Sequence, residues 1–313
     1  MPADVVDMTR SAAVFPGQGA QEAGMGVRWR ESPAWPVVGE ITEGAGVDVA
    51  RLLLHADGET LRHTDNAQLS MFAMGVLAYR DAQLKGLTDR IVAFAGHSLG
   101  EYVALVAADA LSVADGARLV AARGAAMLDA ANRHRATMVV VVGTDVSVVD
   151  SLVADARSAG NQVWVANVNA PGQVVLSGTL GAIEAVSTEI QVAGMRVIKI
   201  PVGGAFHCPL MESSRSAVLE ALESVRFADR HRPIVSNVDA AVYERSDIWP
   251  ELLVEQLTAP VLWSQSLTTL VAELHCDSII EYGQAKTLTA LAKRSGHDLT
   301  AEKYDSPLVP EPA

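Results

Sequence analysis

Short apolar runs that end in glycine-bearing turns alternate along this chain with longer stretches of helical spacing, the texture of an α/β protein. Ser11 to Phe15 reads as a strand opening into the loop Pro16-Gly17-Gln18-Gly19-Ala20-Gln21. Trp35 to about Leu54 and Ala67 to Leu84 carry helical periodicity. From Ala67 to Leu77 the apolar positions run nearly all round, which predicts a buried helix. Ile91-Val92-Ala93-Phe94-Ala95 is a second strand, and helices are expected over roughly Glu101 to Asn132.

Between Ala136 and Val202 the pattern changes. A strand (Met138–Val142), a helix (Val146–Ser158), two strands (Val163–Val168 and Gln173–Ser177), a helix (Gly181–Ala193) and a last strand (Arg196–Ile200) follow one another. That β-α-β-β-α-β order is ferredoxin-like and closes on itself as an insert. Beyond it, a helix after Cys208, a strand near Ile234 to Ser236 and helices over Trp249–Thr258 and Ser264–Leu274 are expected. The strand Ser278–Glu281 and a helix from about Lys286 to Ser295 complete the pattern. The fold expected is therefore α/β, with an α/β-hydrolase-like core and a mostly parallel sheet (11–135 and 203–300). A ferredoxin-like small subdomain (136–202) is inserted in it, and flexible ends are expected at 1–10 and 304–313.

Composition narrows the function classes. Half of the 313 residues are hydrophobic, enough for a sizeable core. A formal net charge of −13 argues against nucleic acid as a partner. An acidic partner would have to meet a local basic patch, and the tightest basic pairs, Arg230/Arg232 and Lys293/Arg294, read as solvated faces. No apolar stretch reaches the roughly 18 residues that span a bilayer, so no membrane association is expected. The acidic start lacks the apolar core of a signal peptide. Cys208 and Cys276 form no metal-type spacing, so a cytoplasmic protein with reduced thiols and no bound metal is the simplest expectation.

The strongest chemical signal is Gly96-His97-Ser98-Leu99-Gly100, set between the strand 91–95 and a helix. A G-x-S-x-G turn bends too sharply for side chains beside the serine and lifts its oxygen into the open, where the Leu99 amide can stabilise an oxyanion. A serine nucleophile needs a base. Of the eight histidines, His207 stands out because it follows a glycine-bearing loop directly after a strand, where α/β folds place catalytic groups. His55, His63, His134, His231 and His297 sit in polar stretches expected to be exposed. No acid in 136–202 is poised as a third member, and a backbone carbonyl could orient the imidazole instead. Arg123 lies in an otherwise apolar helix, where it makes either a structural ion pair or a clamp for a substrate carboxylate. The Pro16–Gly19 loop fails the dinucleotide fingerprint, because Glu22 occupies the last glycine position; Gln18 beside the elbow is better placed to shape an oxyanion site.

Taken in order, six stretches resemble the malonyl-CoA:acyl carrier protein transacylases and polyketide synthase acyltransferase domains. They are Phe15–Gln21, Gly96–Tyr102, Arg123-Gly124, Asn169–Val175, Ala205–Met211 and Gln256–Val261. The resemblance implies a free-standing acyltransferase of fatty acid or polyketide synthesis. Ser98, deprotonated by His207, would take a malonyl-type group from a CoA thioester and pass it to the phosphopantetheine thiol of an acyl carrier protein. It further implies that the amides of Leu99 and Gln18 form the oxyanion hole, and that the main-chain carbonyl of Gln256 orients the histidine. Arg123 would bind the acyl carboxylate, and Phe206 would leave little room for an α-branch. No permanently bound cofactor is implied, and a monomer is expected. Gly203-Gly204, Cys208 and Gly283-Gln284-Ala285-Lys286 depart from the family's more frequent residues. A carrier-to-carrier acyl shuttle or an acyl-thioester hydrolase on the same fold is the alternative.

Overall fold

The computed structural model describes residues 9–143, 146–284 and 287–307. Its strands are β1 (Ser11–Phe15), β2 (Ile91–Gly96), β3 (Ala136–Val142), β4 (Val163–Ala170), β5 (Gln173–Thr179), β6 (Arg196–Lys199), β7 (Arg230–Val235), β8 (Val242–Arg245), β9 (Ser278–Tyr282) and β10 (Thr300–Tyr304). They form a six-stranded sheet in the order β10-β9-β1-β2-β7-β8 and a four-stranded sheet in the order β4-β5-β3-β6. Every pairing in the larger sheet is parallel except β7 with β8. The smaller sheet is antiparallel throughout and has the ferredoxin-like strand order. This is the mixed architecture that the apolar pattern predicts.

Parallel strands buried on both faces need continuous apolar runs. β1 and the centre of β2 supply them, with Ala12, Ala13, Val14, Phe15, Ala93, Phe94 and Ala95 all fully buried. The helix Thr64–Leu84 packs across this sheet and is buried on nearly every side, as its all-round apolar pattern requires. Main-chain bonds tie the small sheet to the larger lobe: Val168 N–H donates to Val261 O and Val261 N–H to Ala166 O, each at 2.9 Å. The segment that follows the helix Trp249–Glu255 is thereby fixed against the small sheet.

Several boundaries differ from the sequence expectation. The stretch 35–54 is two helices, Val37–Ala45 and Val49–His55, because Gly46 turns left-handed at φ 67° and Asp48 caps the second. The helices expected over 101–132 are Gly100–Ala107 and Val113–Asn132; between them Asp109 takes φ 66°, and Ser112 caps the second through the Asp115 amide. β8 and β10 are unexpected. Both are edge strands whose residues are largely polar, so neither carries an apolar signature. Of the ends expected to be flexible, residues 1–8 and 308–313 lie outside the described residues, as does Lys286 at the start of the last helix. Tyr304, by contrast, ends β10. Arg232 and His231 are structural rather than solvated: Arg232 stacks on Phe94 with its guanidinium 4.5 Å from the ring, and His231 Nε2 accepts from Trp249 Nε1 at 2.9 Å. Among the described residues, no helix is long and apolar enough to cross a membrane.

Asp81 anchors the chain's far end. Its buried carboxylate accepts from Ser32 Oγ at 2.5 Å, Lys85 Nζ at 2.6 Å and Tyr304 Oη at 2.5 Å, joining the long helix to β10. Burial raises its pKa, but the hydrogen bonds from Lys85, Ser32 and Tyr304 outweigh burial and hold it below the ordinary value of 3.8. The stabilisation is present above that value and is lost as pH falls through the lower, folded one. Asp81→Asn should cost about 2 kcal/mol at neutral pH, with the deficit closing below about pH 4. Denaturant titrations of both proteins across pH measure this.

Candidate active site

The Gly96–Gly100 turn leaves no room for substitution at its ends. A Cβ on Gly96 would stand 1.9 Å from Gly100 C, and one on Gly100 would stand 2.0 Å from Phe15 O. Between them Ser98 is forced to φ 54°, a left-handed conformation that a non-glycine residue rarely adopts. Phe15 pairs with Gly96 across β1 and β2, so the loop after β1 and the elbow after β2 leave the sheet side by side. Gly17 lies so close to the elbow that a Cβ there would be 2.8 Å from His97 O. This register brings Gln18 and Leu99 to the same C-terminal end of the sheet. Neither residue's amide has an intramolecular acceptor among the described residues. Half-buried Gln18 also lines a cavity of about 350 Å³ with Arg62, Thr64, Val202 and Gly203.

His207 meets Ser98 at this end of the sheet. Its Nε2 is 2.7 Å from Ser98 Oγ, and its Nδ1 is 2.8 Å from the main-chain oxygen of Gln256. A carbonyl can only accept, so Nδ1 carries the proton, Nε2 is the free lone pair, and Ser98 Oγ–H donates to it. Gln256 closes the C-terminal end of the helix Trp249–Glu255, where carbonyls lack intrahelical partners and the helix dipole favours positive charge. Burial, reinforced by the Arg123 charge, pushes the His207 pKa down to about 3, so the ring is neutral across the ordinary pH range.

Arg123 is 1 % exposed. Its guanidinium donates to Gln68 Oε1 at 2.5 Å, to Gln256 Oε1 at 2.8 Å and to Ser98 Oγ at 3.2 Å. Its Nε has no partner among the described residues. Each direct acceptor is neutral, so among the described residues no carboxylate answers the charge at contact distance. Phe206 is buried beside His207, its carbonyl held by Ser177 Oγ at 2.6 Å. His97, also in the elbow, turns to Asn169 Oδ1 at 2.9 Å instead of towards Ser98. Cys208 is a buried thiol whose pKa is raised to about 12 by burial, and so is inert.

Two buried polar residues of this centre escape the sequence reading. Asn237 accepts from Ser98 N–H at 2.7 Å and donates to Gly96 O at 2.5 Å; Gln68 holds Arg123. Both carried usable signals. Asn237 follows a strand, the criterion that singles out His207, and Gln68 is a polar residue on a helix apolar all round.

The model of the family described as acyl transferase domain matches residues 13–310. The malonyl CoA-acyl carrier protein transacylase of Bacillus subtilis (strain 168) is 35% identical over 304 residues, covering 96% of this chain and 95% of that protein. The protein of the same description from Escherichia coli (strain K12) is 34% identical, covering 96% and 97%. Among solved structures, the malonyl-CoA:acyl carrier protein transacylase of Xanthomonas oryzae pv. oryzae superposes with a TM-score of 0.90 at 36% identity, covering 96% of this chain and 95% of that one. A type II PKS acyl-carrier protein in complex with its malonyl-transacylase gives a TM-score of 0.89 at 31% identity, covering 95% and 97%.

The depressed His207 pKa makes a prediction about Ser98 alone. Its labelling by a fluorophosphonate should stay level with falling pH well past 6.5, the ordinary histidine value, down to about pH 5. A titration curve centred near 6.5 would show a solvated imidazole.

Proposed function

The chain belongs to the acyl transferase domain family, and from that premise we propose that it moves a malonyl-type acyl group from coenzyme A to the phosphopantetheine thiol of an acyl carrier protein. The observation that carries the acyl-group assignment is Arg123, a buried cation held only by neutral acceptors beside Ser98. Burying an unanswered guanidinium is costly unless an anion completes the site, and a carboxylate matches its planar fork. Malonyl carries a free carboxylate; acetyl does not. Phe206 narrows the space beside His207 and suits an unbranched α-carbon.

In the first half-reaction Ser98 Oγ attacks the thioester carbonyl carbon while its proton passes to His207 Nε2. The new oxyanion is held by the amides of Leu99 and Gln18, neither of which spends its N–H on an acceptor among the described residues. The carbon–sulfur bond then breaks, and the CoA thiolate takes the proton from Nε2. In the second half-reaction the carrier's thiol gives its proton to His207 and attacks the Ser98 ester. The carbon–Oγ bond breaks, and Ser98 recovers its proton from Nε2. Gln256 O holds the imidazolium in each half without itself titrating. A malonyl carboxylate on Arg123 would also offset the positive charge that depresses His207, so the base strengthens when the acidic acyl group is bound. We place this reaction in the cytoplasm, with the chain acting as a monomer.

Intact-protein mass spectrometry after exposure to malonyl-CoA should show one acyl adduct, absent in Ser98→Ala. Arg123→Ala should lower malonyl loading relative to acetyl by at least about 2 kcal/mol, roughly thirtyfold. Equal malonyl loading by that variant would refute the clamp. Label passing to water as fast as to the carrier would identify a hydrolase.

A further inference from the structure

Glu101, the first residue after the elbow's second glycine, is fully buried, and its carboxyl group has no part in the mechanism above. Its carboxylate accepts two hydrogen bonds, from Asn237 N–H at 2.8 Å and from Gln256 Nε2 at 2.5 Å. The same Gln256 amide accepts from Arg123 through Oε1 and donates through Nε2 to Ser98 O at 2.9 Å. Arginine has only donors, so the atom facing it must be the amide oxygen; the amide nitrogen must then find acceptors, which Glu101 and Ser98 O supply. Burial pushes the Glu101 pKa up to about 8, opposed by the Asn237 and Gln256 hydrogen bonds and by the Arg123 charge.

We propose that Glu101 is a positioning residue for acyl-group selection: by fixing which way the Gln256 amide faces, it aims Arg123 at the acyl carboxylate. The inference rests on the acyl-transfer reading above and adds to it a determinant of selectivity outside the acyl pocket. A glutamine at this position presents one acceptor and one donor. Either Asn237 N–H loses its acceptor, or the Gln256 amide turns over and points its NH2 group at the Arg123 guanidinium, two donors face to face. Both outcomes loosen the guanidinium, while the main-chain oxygen that holds His207 remains.

The test compares single-turnover loading of the full chain by malonyl-CoA and by acetyl-CoA at pH 9, above the Glu101 pKa of about 8, where the ionised carboxylate presents two acceptors. In Glu101→Gln the KM for malonyl-CoA should rise and the malonyl-to-acetyl ratio should fall about tenfold, the worth of one hydrogen bond to a charged group. Gln256→Met cuts the relay at its other end while keeping the main-chain carbonyl, and should lower the ratio comparably even if Glu101→Gln does not fold. In the double variant, Glu101→Gln should lower the ratio no further. Equal losses for both donors, an unchanged ratio in either single variant, or additive losses in the double variant overturn the proposal. A parent enzyme that takes up neither acyl group overturns the acyl-transfer reading itself, and this inference with it.

Discussion

The main-chain carbonyl of Gln256, 2.8 Å from His207 Nδ1, is the contact on which the centre depends. A side-chain carboxylate in its place would add a second buried charge beside an arginine and would titrate. A carbonyl orients the ring and does neither. It also sets the direction of every proton in the site, because a ring protonated at Nδ1 leaves Nε2 to accept from Ser98. Its position is inherited from distant packing. Gln256 ends a helix, and the segment beyond it is tied to the small sheet at Val261, so the inserted lobe helps to hold the histidine's partner.

Around that contact the structure manages a buried cation and a buried carboxyl group with very few groups. Arg123 and Glu101 do not touch. The Gln256 side chain lies between them, its oxygen towards one and its nitrogen towards the other. One residue therefore serves the base through its backbone and the cation through its side chain. A buried charge with an incomplete set of partners is a stability cost that proteins accept where a ligand completes the set. Among the described residues the Nε of Arg123 has no partner.

Much of this was legible in the amino-acid order, for identifiable reasons. β1, β2 and the small sheet are apolar runs with clear ends, and the elbow's glycines announce a turn that only they can make. Ser98 and His207 share a positional signal, a loop directly after a strand, and the structure brings them together. β8 and β10 gave no such signal, since edge strands face water and are polar. The helices within 101–132 part near Asp109, φ 66°, without glycine or proline, so residue type does not mark the boundary. Gln256 could be approached only through family resemblance, because an orienting main-chain oxygen leaves no trace in residue type. Asn237 and Gln68 each carried a signal that was applied to a neighbour but not to them.

Nitrogen-15 shifts of the His207 imidazole at neutral pH test the central contact most directly. The geometry predicts a neutral ring protonated at Nδ1, with Nε2 bare and shifted only by its hydrogen bond from Ser98. An imidazolium, or a ring protonated at Nε2, would contradict the arrangement on which the account rests.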